Sequence, residues 1–123
     1  MNIGLAVAAV LAFATWAIHT FLGGPAVARP LLASEMEAVA KYTNYYCWHC
    51  VTLVLLMMAG GYGYAAFVPA GWDVAVLITL LAVAFAVWSV VLIFWSKRTA
   101  LELPQWTLFV VIAAAAGWGL LNA

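Results

Sequence analysis

The stretch that decides the fold is Val74–Trp95, VAVLITLLAVAFAVWSVVLIFW, an apolar run without a single charge. A membrane-spanning helix needs about 20 mostly apolar residues to cross a hydrocarbon core roughly 30 Å thick. A buried strand would be far shorter, and a soluble amphipathic helix would carry a polar stripe. Three further stretches have the same character: about Ile3–Leu22, about Tyr45–Phe67 and about Gln105–Leu121. Continuous apolar runs without alternation argue against a membrane β-barrel. In a bilayer every backbone N–H and C=O must be satisfied within its own segment, so helices are expected. The expected fold class is therefore all-α, a polytopic integral membrane protein built as a four-transmembrane-helix bundle in one membrane domain spanning residues 1–123.

Composition agrees. The 123 residues are 70% hydrophobic and 7% charged, with four basic and four acidic side chains. Soluble domains are about 25% charged. Nucleic-acid binding is excluded as a class, because it needs a basic surface. Ala26-Val27-Ala28 has the small residues of a signal-cleavage site. The first apolar run, however, is longer than a leader's usual 7–15 residues and has no Lys or Arg before it, so it reads as a span.

The connections set orientation. Arg29 and Lys41 lie in the first, and Lys97 and Arg98 in the third. The positive-inside rule then places both connections in the cytoplasm and both termini outside, in a bacterial inner membrane. Asp73 is expected to cap the third helix, and Pro104 to sit in the first turn of the fourth. Gly23-Gly24-Pro25 is expected to break the chain after the first span. Ser34-Glu35-Met36-Glu37 reads as a capping box, so a helix should start near Ser34 within the connection 23–44 and run into the second span. Gly4, Ala8 and Ala12 on the first helix, with Ala113 and Gly117 on the fourth, are the expected close-packing lines.

Against this background the polar cluster stands out. His19 lies near the cytoplasmic end of the first span, and Cys47-Trp48-His49-Cys50 lies at similar depth in the second. Polar and ionisable groups there are costly and often functional. Three chemistries fit. His19, Cys47, His49 and Cys50 are candidate ligands for a transition metal, or the two histidines for haem, since imidazole suits Zn, Cu and Fe and thiolate suits Zn and Cu(I). In a regular helix, though, Cys47 and Cys50 share a face, His49 lies well away from Cys47, and Cys50 can neighbour either one, so a single site using all four ligands is strained.

The two cysteines could also act as a thiol pair, because a C-x-x-C near a helix N-terminus favours thiolate. In outline this motif and the helix count resemble the quinone-coupled thiol oxidases of bacterial membranes. That resemblance implies redox activity at Cys47 and Cys50. The chain departs from those oxidases in having no second cysteine pair. Finally, His19, Arg29, Asn44, Tyr45, Tyr46, His49 and Thr52 could line a cleft for an apolar or amphipathic small molecule.

No acidic or basic residue lies mid-span. The chain thus lacks the membrane-embedded Glu of small multidrug exporters, and it has no carboxylate pair for acid–base catalysis. The expected function is a non-catalytic membrane component, an accessory subunit or small-ligand binder. The alternative is a metal, haem or thiol-redox protein. Expected partners are the lipid bilayer and either a larger membrane complex or a second copy of the chain.

Overall fold

A computed structural model describes residues 1–122. It is 87% helical, and no strand occurs among the described residues. The first helical rod comprises α1 (Ile3–Ala17), a π-helical segment (Ile18–Ala28) and the short α2 (Arg29–Ala33). It is followed by α3 (Ala38–Phe67), a 3-10 turn (Pro69–Gly71), α4 (Trp72–Ser96) and α5 (Gln105–Leu121). Three of these rods, Ile3–Ala33, Ala38–Phe67 and Pro69–Ser96, are long and apolar enough to cross a membrane. The fourth, α5, is apolar but has 17 residues.

The helices form a ring in which α1 packs on both α3 and α5, and α4 packs on α5 and α3. Lipid supplies little hydrophobic force between helices, so small residues that allow close backbone approach decide the packing. Gly4, Ala8 and Ala12 are all buried, as the sequence predicts. Their partner line on α5 is different from the expected one. It runs through Ile112, Ala116 and Gly119 rather than Ala113 and Gly117. A Cβ on Gly119 would lie 2.7 Å from the Leu5 backbone nitrogen, whereas one on Gly117 would meet nothing within 4 Å. Both lines have small residues four apart or nearly so, and only the direction of the helix–helix contact separates them. Asn2 pins this end of the bundle: its amide donates to the Gly119 carbonyl at 2.7 Å, and its backbone N–H to the Ala66 carbonyl at 2.8 Å.

The expected break at Gly23-Gly24-Pro25 does not occur. The chain stays helical to Ala33 by widening its winding to π over eleven residues, with Pro25 inside. In an α-helix a proline ring collides with the carbonyl four residues back. Wider winding moves that carbonyl away and keeps the chain helical, with the Arg29 N–H bonded to the Gly24 carbonyl.

The capping box is also not formed. Ser34 instead closes α2 in an extended conformation, its hydroxyl donating to the Leu31 carbonyl at 2.7 Å. The next helix starts at Ala38, where the Glu37 carboxylate accepts from the Ala40 N–H at 3.2 Å. As expected, that helix then runs unbroken to Phe67, and at 1.5 Å per residue its 30 residues span about 45 Å.

Asp73 lies in the first turn of α4 but does not cap it, since Gly71 is the cap and no side chain bonds there. Pro104 is the cap residue itself, one position earlier than expected. Lys97 ends α4 in the left-handed conformation at φ 54°, and the Arg98 N–H returns to the Ile93 carbonyl, a Schellman-like ending.

The α4–α5 loop is tied by Glu102. Its carboxylate accepts from the Thr99 N–H at 2.8 Å and from the Thr99 hydroxyl at 3.1 Å. The backbone bond first, then the hydroxyl and the nearby Arg98 guanidinium, hold the Glu102 carboxyl below the usual carboxylate range. A depressed folded-state value means that the tie is present above the unfolded-state pKa and is lost as pH falls through the folded one. The protection factor of the Thr99 amide, its exchange rate taken relative to the intrinsic rate at each pH, should therefore fall on acidification, and Glu102→Gln should remove most of that pH dependence.

Candidate functional site

The polar cluster forms where the π-helical segment lies on α3. Within α3, at about 100° per residue, Asn44, Trp48, Thr52, Tyr45 and His49 share one arc, while Tyr46, Cys50 and Cys47 share the other. His19 faces the first arc. Its imidazole stacks on the Trp48 indole with centroids 3.9 Å apart and planes 19° from parallel. Its Nε2 lies 3.1 Å from the Thr52 hydroxyl and 3.3 Å from the Trp48 carbonyl.

The proton count assigns the tautomer. The Thr52 hydroxyl donates its one proton to the Trp48 carbonyl at 3.1 Å. With the hydroxyl proton so assigned, Nε2 carries the hydrogen and donates to both oxygens, and Nδ1 is the acceptor nitrogen. His19, Thr52 and the Trp48 carbonyl thus close a three-membered hydrogen-bonded clasp between the first rod and α3.

Gly23, four residues beyond His19, completes the seat. A Cβ there would come 2.8 Å from the outer edge of the Trp48 ring. The indole is therefore held between the His19 ring and the Gly23 backbone. This role for Gly23 and Trp48 was not legible from the motif. The four-residue spacing of His19 and Gly23, which puts them on one side of a helix, was the available clue.

Among the described residues, the buried Thr20 hydroxyl oxygen in the same segment has no hydrogen-bond partner, nor has the buried Trp106 Nε1. Leaving such a group unpaired costs roughly 1–3 kcal/mol.

The second histidine is placed differently. His49 is exposed on the flank of the bundle, edge-on to Tyr45 with centroids 4.6 Å apart and planes 85° from parallel. Among the described residues none hydrogen-bonds its ring nitrogens. Asn44 is exposed and donates to the Ala40 carbonyl at 2.8 Å, and Arg29 and Tyr46 are exposed. Of the residues expected to line a cleft, then, His19 and Thr52 meet directly, with Tyr45 and His49 beside them. Arg29, Asn44 and Tyr46 are not drawn into contact with them.

The metal grouping of His19, Cys47, His49 and Cys50 is not supported. Among the described residues no three His, Cys, Asp or Glu side chains come together in a way that could hold a metal ion. The reason is helical geometry. Cys47 and Cys50 are free, the first exposed and the second half-buried, on the arc turned away from His19. The Nε2 of His19 is meanwhile committed to oxygen partners.

Comparison with known proteins finds no matching family model, no matching curated protein and no matching solved structure.

Proposed function

We propose that the chain is a four-span, non-catalytic component of a bacterial cytoplasmic membrane. It holds a small amphipathic ligand or a neighbouring subunit on the face formed by His49 and Tyr45. The observation that carries this reading is the contrast between the two histidines. The Nε2 of His19 is engaged inside the chain, whereas His49 presents its ring outward from an apolar bundle and hydrogen-bonds no partner among the described residues. A polar group in that setting is a recognition element by default. The clasp behind it fixes the α3 arc on which His49 and Tyr45 sit, so the face is pre-formed.

The four-span topology rests on α5 being apolar between Pro104 and Asn122 and on its packing against α1 and α4. All four basic residues belong to the end of the bundle opposite Asn2. That distribution supports a cytoplasmic location for that end and outer positions for both termini.

Gentle solubilisation followed by native mass spectrometry tests the proposal. The wild-type protein should carry a bound molecule or subunit of defined mass, and His49→Ala should lose it while keeping its helical content. A bare chain in both cases would refute it.

Exposure of the Cys47 thiol, one turn from Cys50, favours thiol chemistry as a second reading. In that case Cys47→Ser and Cys50→Ser would each abolish an oxidant-dependent shift in gel mobility.

A further inference from the structure

Five hydroxyls in the regular α-helices share one habit. Thr15, Thr52, Thr79, Ser89 and Ser96 each donate to the carbonyl four residues back, at 2.6–3.1 Å. Thr20, in the π-helical segment, does not, and its oxygen is buried without a partner. Regular α winding would bring the Trp16 carbonyl to the place that the other five hydroxyls use.

The π winding is thus favoured by some residues of this segment and opposed by another. Pro25 favours it, because its ring would collide with the Phe21 carbonyl in an α-helix. His19 favours it through Thr52 and the Trp48 carbonyl, and Gly23 through its seat against Trp48. Thr20 opposes it.

We propose that Ile18–Ala28 is a two-register element that exchanges between π and α winding. Long π runs are rare, and where they occur in helices they often mark functional positions. Rewinding changes the rotation and rise of everything after Ala28. It lifts His19 off Thr52 and Trp48 and swings Arg29–Ala33. The short non-helical connection after Ala33 absorbs the movement before α3 begins at Ala38. The clasp is the latch of the π register, and the Thr20 hydroxyl is the group that gains from its release.

The test uses the full chain in lipid nanodiscs with Cys47→Ser and Cys50→Ser. Spin labels are attached through Ala33→Cys and Leu77→Cys, both at exposed positions. Pulsed electron paramagnetic resonance should resolve two distance populations. Pro25→Ala removes the collision and should shift the ratio at least tenfold toward the α population. Thr20→Val removes the opposing hydroxyl and should shift it the other way. Opposite movements of the two variants sustain the proposal. A single distance common to all three proteins, or movement of both variants in the same direction, overturns it. Either variant read alone against wild type still decides the matter if the other fails to fold: an absent or reversed shift overturns the proposal.

Discussion

Replacing Gly119 with Val should unfold the bundle or drive α5 off α1. A Cβ at this position would sit 2.7 Å from the Leu5 nitrogen and 3.0 Å from the Gly4 carbonyl carbon, and these are backbone atoms that cannot turn aside. Gly4 meets the mirror problem, with Gly119 Cα at 2.5 Å from its own added Cβ. Overpacking ordinarily costs about 1–3 kcal/mol, because neighbouring side chains relax. Here the helices themselves must separate, so the loss should reach at least about 3 kcal/mol. It should also break the Asn2 bond to the Gly119 carbonyl.

Gly117→Val supplies the control. It changes the same helix by the same atoms and the same loss of glycine, yet faces open space. Thermal unfolding in mild detergent should show a large fall in Tm for Gly119→Val and Gly4→Val and a small change for Gly117→Val. Equal falls at positions 117 and 119 would mean that α5 is rotated from the orientation described.

Trp48→Ala should have the second largest effect. The indole stacks on His19 and fills the seat beside Gly23, so its removal opens a gap between the π-helical segment and α3. Truncating a core aromatic costs about 3–5 kcal/mol in soluble proteins. Trp48 is half-buried, and lipid contributes no hydrophobic drive between helices, so about 2 kcal/mol is expected. The Trp48 carbonyl remains in the variant, and so does the Thr52 hydroxyl. His19 therefore keeps its hydrogen-bond partners but loses the surface that orients its ring. Trp48→Phe should recover about half of the loss. Hydrogen exchange in the segment Ile18–Ala28 should rise in Trp48→Ala well beyond that in α4. If instead exchange rises uniformly, the clasp has no special part in holding that segment.

The sequence carried the helical class and most element ends. Phe67 and the bounds of Gln105–Leu121 came directly from hydropathy and from proline and glycine placement. The length of the first rod did not. Gly23-Gly24-Pro25 reads as a stop in water, where a freed carbonyl finds solvent. In the structure the same residues widen the helix instead, because that winding accommodates the Pro25 ring while the backbone stays helical.

The shift from Ser34 to Ala38 has a local cause. Ser34 and Glu37 are each competent caps, and Ser34 is consumed in closing α2. The α5 contact line was missed by a rotation, since alanines and glycines populate several sides of that helix and sequence spacing alone does not choose between them.

In the site, the depth match of His19 with residues 47–50 was legible, and helical spacing already separated Cys47 from His49. The sequence could not show that Trp48 and Thr52 would take His19, because the azimuth of the first rod is set by the π winding.

The central claim is that the flank of α3 around His49 is a recognition face and not a lipid face. Photocrosslinking in intact membranes tests it most directly. A photoreactive amino acid would replace His49 in one protein and Leu77, an exposed aliphatic on α4, in another. Because the label removes the imidazole, a third protein carries it at Tyr45 with His49 retained. The account predicts a discrete adduct of one mass from position 45, a weaker one from position 49 and only diffuse lipid adducts from position 77. Diffuse lipid adducts alone from all three positions would contradict it.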